Sequence, residues 1–216
     1  MRIDLETLEE RVFTDINIAR TSYSIIDSFI AVLWKRSERR FKAISKPIID
    51  SIAEAATNSA VISLGRLLNP SDRYSSECTL IKYKNRVVDI LSSRNTDNWQ
   101  TPYSKECLIR VKDPVWEESF MKMQEDYKNE LKPIRDKIIA HSDAAANYEE
   151  SKRFLPIILK FIEFTEETHK TLRAAHQDAG MDSPYLSHAF TESVDEWLKI
   201  LGRNWEEDCK YTRQTY

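Results

Sequence analysis

Glycine is scarce along this chain: Gly65, Gly180 and Gly202 are the only three in 216 residues, and proline occurs seven times. A sheet protein built from tight turns needs many more such residues, because glycine and proline are the principal turn formers. So few breakers favour a small number of long helices instead. The sequence therefore predicts an all-α fold, a bundle of five or six helices in one domain covering residues 1–216.

The composition is that of a globular chain with a well-solvated exterior. Hydrophobic residues make up 41% of the sequence and charged residues 31%, which is enough apolar material for a sizeable core. The formal net charge is -3. Nothing global therefore indicates nucleic-acid binding, and a contact with RNA would need a local basic patch.

The cysteines and the first residues bear on the cellular compartment. Cys78, Cys107 and Cys209 are far apart and form no CxxC pair, so neither a zinc ribbon nor a disulfide framework is expected. A reducing cytoplasm suits such a chain. The opening stretch MRIDLETLEERVF is acidic, which predicts no signal peptide. No stretch approaches the roughly 20 apolar residues that a membrane span needs.

Apolar residues at three- and four-residue spacing predict six helices. The predicted spans are about residues 4–43, 46–68, 75–91, 113–141, 147–178 and 187–210. Residues 92–112 have no clean period and are predicted to be a long connection. One short extended piece is expected within it, at 107–111.

Three prolines bear on the ends and the course of these helices. Pro47, just after Ser45, is predicted to stand in the first turn of the second helix. Pro133 is predicted to kink the fourth helix just before Arg135, because its ring frees the carbonyl of Asn129. Pro156 indicates that the fifth helix either starts late or bends.

The most basic stretch of the chain is WKRSERRFK, near the predicted end of the first helix. It contains Arg39 and Arg40. Cations are favoured at a helix C-terminus, so a solvated face is one explanation for this stretch. A patch that contacts RNA is the other explanation.

The common catalytic signatures are absent from the sequence: there is no GxxxxGK[ST], GxGxxG, HExxH or GxSxG. His169 and His176 are seven apart on one predicted helix, with no carboxylate nearby to complete a metal triad. They are interpreted as surface or groove residues, and His188 as structural or exposed. No metal site and no cofactor is predicted.

The stretch IRDKIIAHSD, residues 134–143, places an arginine and a histidine near the end of an amphipathic helix. On an ideal helix the six steps from Arg135 to His141 rotate roughly 240° and rise roughly 9 Å. The two side chains therefore do not share one stripe. A kinked or ending helix would bring them toward one groove, and so would a second protomer related by a two-fold axis.

The chemistry of the pair suits cleavage of RNA by its own 2'-hydroxyl, without a metal. Histidine transfers protons at neutral pH, and arginine grips phosphate through two parallel hydrogen bonds. His141 would move the proton and Arg135 would stabilise the phosphorane charge. A structural explanation stands beside this one, with Arg135 in a salt bridge and His141 buried and satisfied.

The stretch LKPIRDKIIAHSD resembles the motif of the HEPN superfamily of small all-helical proteins, in which four to six residues separate an arginine from a histidine. Arg135 and His141 have five residues between them, and Asp136 fills the polar place directly after the arginine. The run RDKIIAHSD looks most like the AbiU-like branch, which is associated with abortive infection in bacteria. SLGRLLNPSD resembles a second stretch of that branch through Ser63, Arg66 and Leu67.

The resemblance implies a HEPN-like bundle of four core helices, at about residues 5–180, with the helix at about 187–210 as an addition. It implies a metal-independent endoribonuclease that acts as a homodimer, a toxin or phage-defence effector with an antitoxin or another defence protein as partner. Arg135 would contact the scissile phosphate, His141 would act as acid or base, and Asp136 would orient one of them. The residues expected to bind the RNA substrate are Arg66, Lys137, Arg39 and Arg40.

Two other functional classes stay open. Some HEPN proteins are non-catalytic, so the chain is alternatively a helical dimer that binds RNA or a protein partner. The lack of net positive charge favours a protein partner in that case, because phosphate contacts come from several lysines and arginines. The third class is a plain bundle in which Arg135 and His141 are structural.

Overall fold

A computed structural model describes residues 4–35, 39–69, 78–93, 101–140 and 148–177, of which 28–35, 39–50, 139–140 and 148–152 are described by their backbone alone. Within these ranges the chain is helical and contains no β-strand, which confirms the all-α prediction. None of the helices there is long and apolar enough to cross a membrane. The helices are α1 (Leu5–Lys35), α2 (Arg39–Leu68), α3 (Leu80–Ser93), α4 (Pro102–Val111), α5 (Pro114–Asp126), α6 (Lys132–Ala140) and α7 (Tyr148–Gln177).

The three longest described helices, α1, α2 and α7, form the centre of the bundle. α1 packs along α2, and α7 contacts both of them as well as α3 and α4. Buried side chains recur every three or four residues on the inward faces, as packing of an amphipathic helix requires. On α1 they include Leu8, Val12, Ile16 and Ala19, and on α7 Ile158, Phe161, Ile162 and Leu172.

The boundary between the first two helices differs from the predicted one. α2 already begins at Arg39, so Ser45 and Pro47 lie inside it rather than at its start. Pro156 likewise lies inside α7, which begins at Tyr148 and so does not start late. A proline removes one helical hydrogen bond. Packing of each 30-residue helix along its neighbours outweighs that loss.

The extended piece predicted at residues 107–111 is wrong, because these residues belong to α4. Pro102 stands in the first turn, after an extended Thr101 at the N-cap. The apolar run that suggested a strand includes Ile109, which is 72% exposed. The face that packs toward α7 carries small or moderate side chains instead, namely Ser104, Cys107 and Val111.

The predicted fourth helix is interrupted by a π-helical turn, Tyr127–Leu131, between α5 and α6. The backbone N–H of Lys132 donates to the carbonyl of Tyr127, five residues back. Pro133 follows directly, and its ring has no N–H and crowds the preceding turn, so a wider turn accommodates it. The structure has this one wide turn in the predicted fourth helix, and the kink just before Arg135 stays a prediction.

Several predicted features lie outside the described residues. They include His141, Gly180, His188, Cys209 and the helix at about 187–210. The single domain over residues 1–216 therefore stays a prediction.

Candidate functional site

Arg135 lies on α6 with its guanidinium bonded to two neighbouring side chains. Nη1 donates to the hydroxyl of Tyr127 over 2.6 Å. Nε and Nη2 both donate to Oδ1 of Asp136, over 3.0 and 2.6 Å. The arginine side chain is only 19% exposed. The orientation of the guanidinium is therefore fixed, while part of the side chain remains exposed to solvent.

Tyr127 anchors this arrangement in the core. Its side chain is fully buried, and its ring meets Phe161 of α7 edge to face, with centroids 6.4 Å apart. Burial raises the pKa of Tyr127 above its ordinary value, and the charge of Arg135 partly opposes that effect. The phenol therefore stays neutral at physiological pH, with its oxygen available as the acceptor for Arg135.

The π-helical turn aligns Tyr127 with Arg135. The two residues are eight apart, and in a regular α-helix eight steps leave side chains about 80° apart around the axis. A π-helical turn takes up one extra residue, so the pair behaves as if seven apart, about 20° from one line. Without this turn the hydroxyl would not lie under the guanidinium.

Lys160 of α7 holds the same turn from outside. Its Nζ lies 2.8 Å from a carboxylate oxygen of Asp126 and 2.8 Å from one of Glu130. These two acids stand at the end of α5 and within the turn. The ion pairs therefore tie the wide turn to the central helix α7.

The aliphatic part of the Arg135 side chain lies directly against Gly65 of α2. A Cβ atom at this position would stand 2.7 Å from Cδ of Arg135 and 3.8 Å from Nη1. The first distance is shorter than real carbon contacts, so any larger residue at position 65 would displace the arginine. The glycine therefore permits the close approach of α6 to α2.

Asp136 joins two cations on the surface of α6. Its Oδ2 lies 2.8 Å from Nζ of Lys132, while its Oδ1 accepts from Arg135. Hydrogen bonds from Lys132 and then from Arg135 lower the pKa of this carboxyl. Of the three predicted catalytic residues, the structure brings Arg135 and Asp136 together. His141 lies outside the described residues, directly after the last residue of α6.

The predicted substrate-binding residues do not form one described cluster. Arg66 is 56% exposed and pairs with Asp15 of α1 at 2.7 Å, beside an open cleft of about 570 Å³. Lys137 is exposed on α6. Arg39 and Arg40 open α2 and are described by their backbone alone. Their predicted place near a helix C-terminus is wrong, so the helix dipole does not account for these cations.

His169 is a core residue, not the surface or groove residue that was predicted. It is 1% exposed, its ring stacks on Phe13 at 5.8 Å, and the ring of Tyr83 lies 5.6 Å away. Burial, with a smaller effect of Arg173 and Lys170, lowers the pKa of His169 to about 4. The prediction failed because α7 is the central helix, so this face of it meets α1 and α3.

Sequence reasoning missed Tyr127 and Gly65 as parts of the site. Nothing in the sequence singles out Tyr127, because its partner Arg135 lies two turns further on. Gly65 did carry a signal, since an isolated glycine inside a helix usually has a packing reason. What it packs against depends on the tertiary fold, and the sequence does not contain that directly.

Comparison with protein-family models, with curated proteins and with solved structures finds no match for this chain. Among the described residues, no group of three or more histidine, cysteine, aspartate or glutamate side chains is placed to hold a metal ion.

Proposed function

We propose that this protein is a metal-independent endoribonuclease of the HEPN kind that acts as a homodimer, in which Arg135 of one protomer and His141 of the other meet in an RNA-cleaving groove. The observation that carries the proposal is the fixed and partly exposed guanidinium of Arg135, bonded to Tyr127 and Asp136 on the helix that leads to His141. A cation held ready in one direction is what stabilisation of a transition state requires.

The reaction needs only groups that RNA and the protein supply. The 2'-hydroxyl attacks the adjacent phosphorus, the bond from phosphorus to the 5'-oxygen breaks, and a 2',3'-cyclic phosphate and a 5'-hydroxyl result. His141 takes the proton of the attacking hydroxyl or delivers one to the leaving oxygen. Arg135 stabilises the extra negative charge on the phosphorane oxygens.

Asp136 is the residue that we assign to orientation of Arg135, because its Oδ1 accepts from both Nε and Nη2. Arg66, Lys137, Arg39 and Arg40 remain the proposed contacts to the RNA backbone. Electrostatic attraction by several such cations gives affinity without base recognition.

The biological setting that we propose follows from the resemblance of RDKIIAHSD to the AbiU-like branch. In that setting the enzyme is a cytoplasmic toxin or phage-defence effector that cuts RNA during infection. An antitoxin or another defence protein would keep it inactive until then.

The proposal is tested by incubating the purified protein with transfer, messenger and ribosomal RNA and analysing the ends of the products. We expect 5'-hydroxyl and 2',3'-cyclic phosphate ends. Arg135→Ala and His141→Ala should each slow cleavage by about 100-fold or more, the usual contribution of such groups. Arg153→Ala is the matched control, because Arg153 is exposed on α7.

Two results would contradict this function. One is cleavage by either site variant at the rate of the wild type. The other is loss of cleavage when EDTA removes divalent cations, which would exclude the metal-free mechanism.

A second function is supported by the ion pair itself. Asp136 already neutralises Arg135, which also suits a non-catalytic helical dimer that binds RNA or a protein. RNA binding with steep salt dependence but no cleavage would favour the RNA-binding form of this alternative. Charge reversal at Arg39 and Arg40 would then reduce the binding.

A further inference from the structure

Two structural features that do not favour a regular helix converge on Arg135. One is Gly65, since glycine inside a helix is less stable than alanine. The other is the π-helical turn Tyr127–Leu131, a rare distortion of a helix. A purely structural ion pair needs neither of them, because Asp136 alone supplies a counter-charge on the next residue.

We propose that Tyr127 and Gly65 are positioning residues that hold the guanidinium of Arg135 in the direction in which it binds the scissile phosphate. This inference rests on the proposed ribonuclease function and deepens it. Neither residue touches the substrate; each acts through Arg135.

The hydrogen bonds of Arg135 within the described residues leave part of its guanidinium for a phosphate. Asp136 occupies the edge formed by Nε and Nη2, and Tyr127 accepts one N–H of Nη1. With respect to the described residues, one N–H on Nη1 and one on Nη2 remain. The N–H donors of a guanidinium are the groups with which arginine binds phosphate.

The contacts with Tyr127 and Gly65 also restrict the Arg135 side chain before the substrate binds, so less conformational entropy is lost on binding. A free arginine side chain samples many rotamers, and ordering them opposes the formation of the transition state. Gly65 restricts the aliphatic part of the Arg135 side chain. Tyr127, which packs against Phe161, restricts the guanidinium. The cation is therefore ordered before the substrate arrives.

Tyr127→Phe is the primary test, because it removes the hydroxyl and keeps the buried ring. We expect kcat for RNA cleavage to fall about 10-fold, since an oriented charge acts mainly in the transition state. KM should stay within about twofold of the wild type, because backbone contacts elsewhere are kept. Tyr23→Phe removes a partly buried hydroxyl from α1 and is the matched control, with unchanged kcat expected.

Gly65→Ala is the second variant and separates folding from positioning. The helical preference of alanine and the displacement of Arg135 act on stability in opposite directions, so kcat is compared per folded molecule. It should fall by about 10-fold as Arg135 is displaced. A merely structural role for Gly65 would leave kcat per folded molecule unchanged.

A double-mutant comparison shows whether Tyr127 acts through Arg135. Lysine at position 135 has no planar guanidinium for the Tyr127 hydroxyl to orient. In the Arg135→Lys background, Tyr127→Phe should therefore change kcat less than about twofold. An equal loss of kcat in both backgrounds would overturn the inference.

A measurement without RNA distinguishes failure of the inference from failure of the proposed function. In NMR spectra, the resonance of the Nη1–H that Arg135 donates to the Tyr127 hydroxyl, assigned by its loss in Arg135→Lys, should be sharp in the wild type and averaged in Tyr127→Phe. The wild type could cleave no RNA while the resonance is still sharp in it and averaged in Tyr127→Phe. In that case the proposed function is wrong, whereas the positioning of Arg135 by Tyr127 is supported. A resonance unchanged by Tyr127→Phe overturns the inference, whatever the RNA result.

Discussion

A salt bridge needs only an acid and a base, and Asp136 with Arg135 would satisfy that need without any help. Arg135 has two further contacts that an ion pair does not require. The π-helical turn aligns the buried phenol of Tyr127 with it, and Gly65 lies against its aliphatic part. Buried His169, in contrast, stacks between rings, and burial keeps its imidazole neutral. Arg135 is thus a partly exposed cation oriented by hydrogen bonds, whereas His169 is a neutral side chain packed in the core.

His169 predicts a pH dependence of stability. Its pKa is about 4 in the folded chain, whereas the ordinary pKa of an exposed histidine is 6.5, so the unfolded chain binds the proton first as the pH falls. The stabilisation is therefore complete above about pH 6.5 and is lost progressively between about pH 6.5 and 4. The loss from pH 7.5 to 5.5 should be about 1 kcal/mol.

Urea unfolding of the wild type and of His169→Gln at both pH values measures this effect. Carboxyl groups also titrate, so the difference between the two proteins is the relevant quantity. The variant should be less stable at pH 7.5 and should lose less stability on acidification. An equal loss in both proteins would show that His169 does not carry the effect.

At the scale of the element, helical spacing predicted most of the described helices, and it failed where packing outweighed local preference. α4 was missed because its core face contains Ser104 while apolar Ile109 faces solvent, so the sequence suggests a strand. The start of α2 was misplaced because Pro47 lies inside a 30-residue helix rather than at its start. Arg135 and Asp136 were predictable because they are adjacent in a motif, whereas Gly65 and Tyr127 join them only through tertiary packing.

The π-helical turn predicts a salt-sensitive contribution from Lys160. Lys160→Gln removes the ion pairs to Asp126 and Glu130, which are partly exposed. We expect the free energy of unfolding to fall by roughly 0.5–1 kcal/mol at low ionic strength, because exposed pairs contribute modestly. The loss should shrink in about 0.5 M NaCl, which screens such charges.

Lys122→Gln is the matched control, because Lys122 is exposed on α5. Unfolding in urea at both salt concentrations provides the measurement. A loss for Lys160→Gln that is equally large in high salt would mean that the contact of Nζ with the Phe161 ring, whose centroid is 5.5 Å away, matters more than the exposed ion pairs.

At the scale of the whole molecule, the proposed groove belongs to two chains. On one ideal helix Arg135 and His141 splay apart, so each groove would combine residues from both protomers across a two-fold axis. Light scattering should therefore give twice the mass of 25.3 kDa. A monomer at the concentrations used for cleavage would count against the shared groove.

Mixing two inactive variants tests the sharing directly. After exchange of protomers, Arg135→Ala and His141→Ala chains form mixed dimers in which one groove has an intact arginine from one chain and an intact histidine from the other. If each groove takes one residue from each chain, cleavage should return to about a quarter of the wild type, since half the dimers are mixed and each has one intact groove of two. No recovery would place both residues of a groove on one chain.

The wide turn before α6 also affects how relatives of this chain would be recognised. Tyr127 and Arg135 are eight residues apart because the turn takes up one of them. A relative without Pro133 and with a regular helix would present the same pair at a spacing of seven. Two chains could therefore share this arrangement while a motif of fixed spacing, or an alignment without a gap at this turn, matched only one of them.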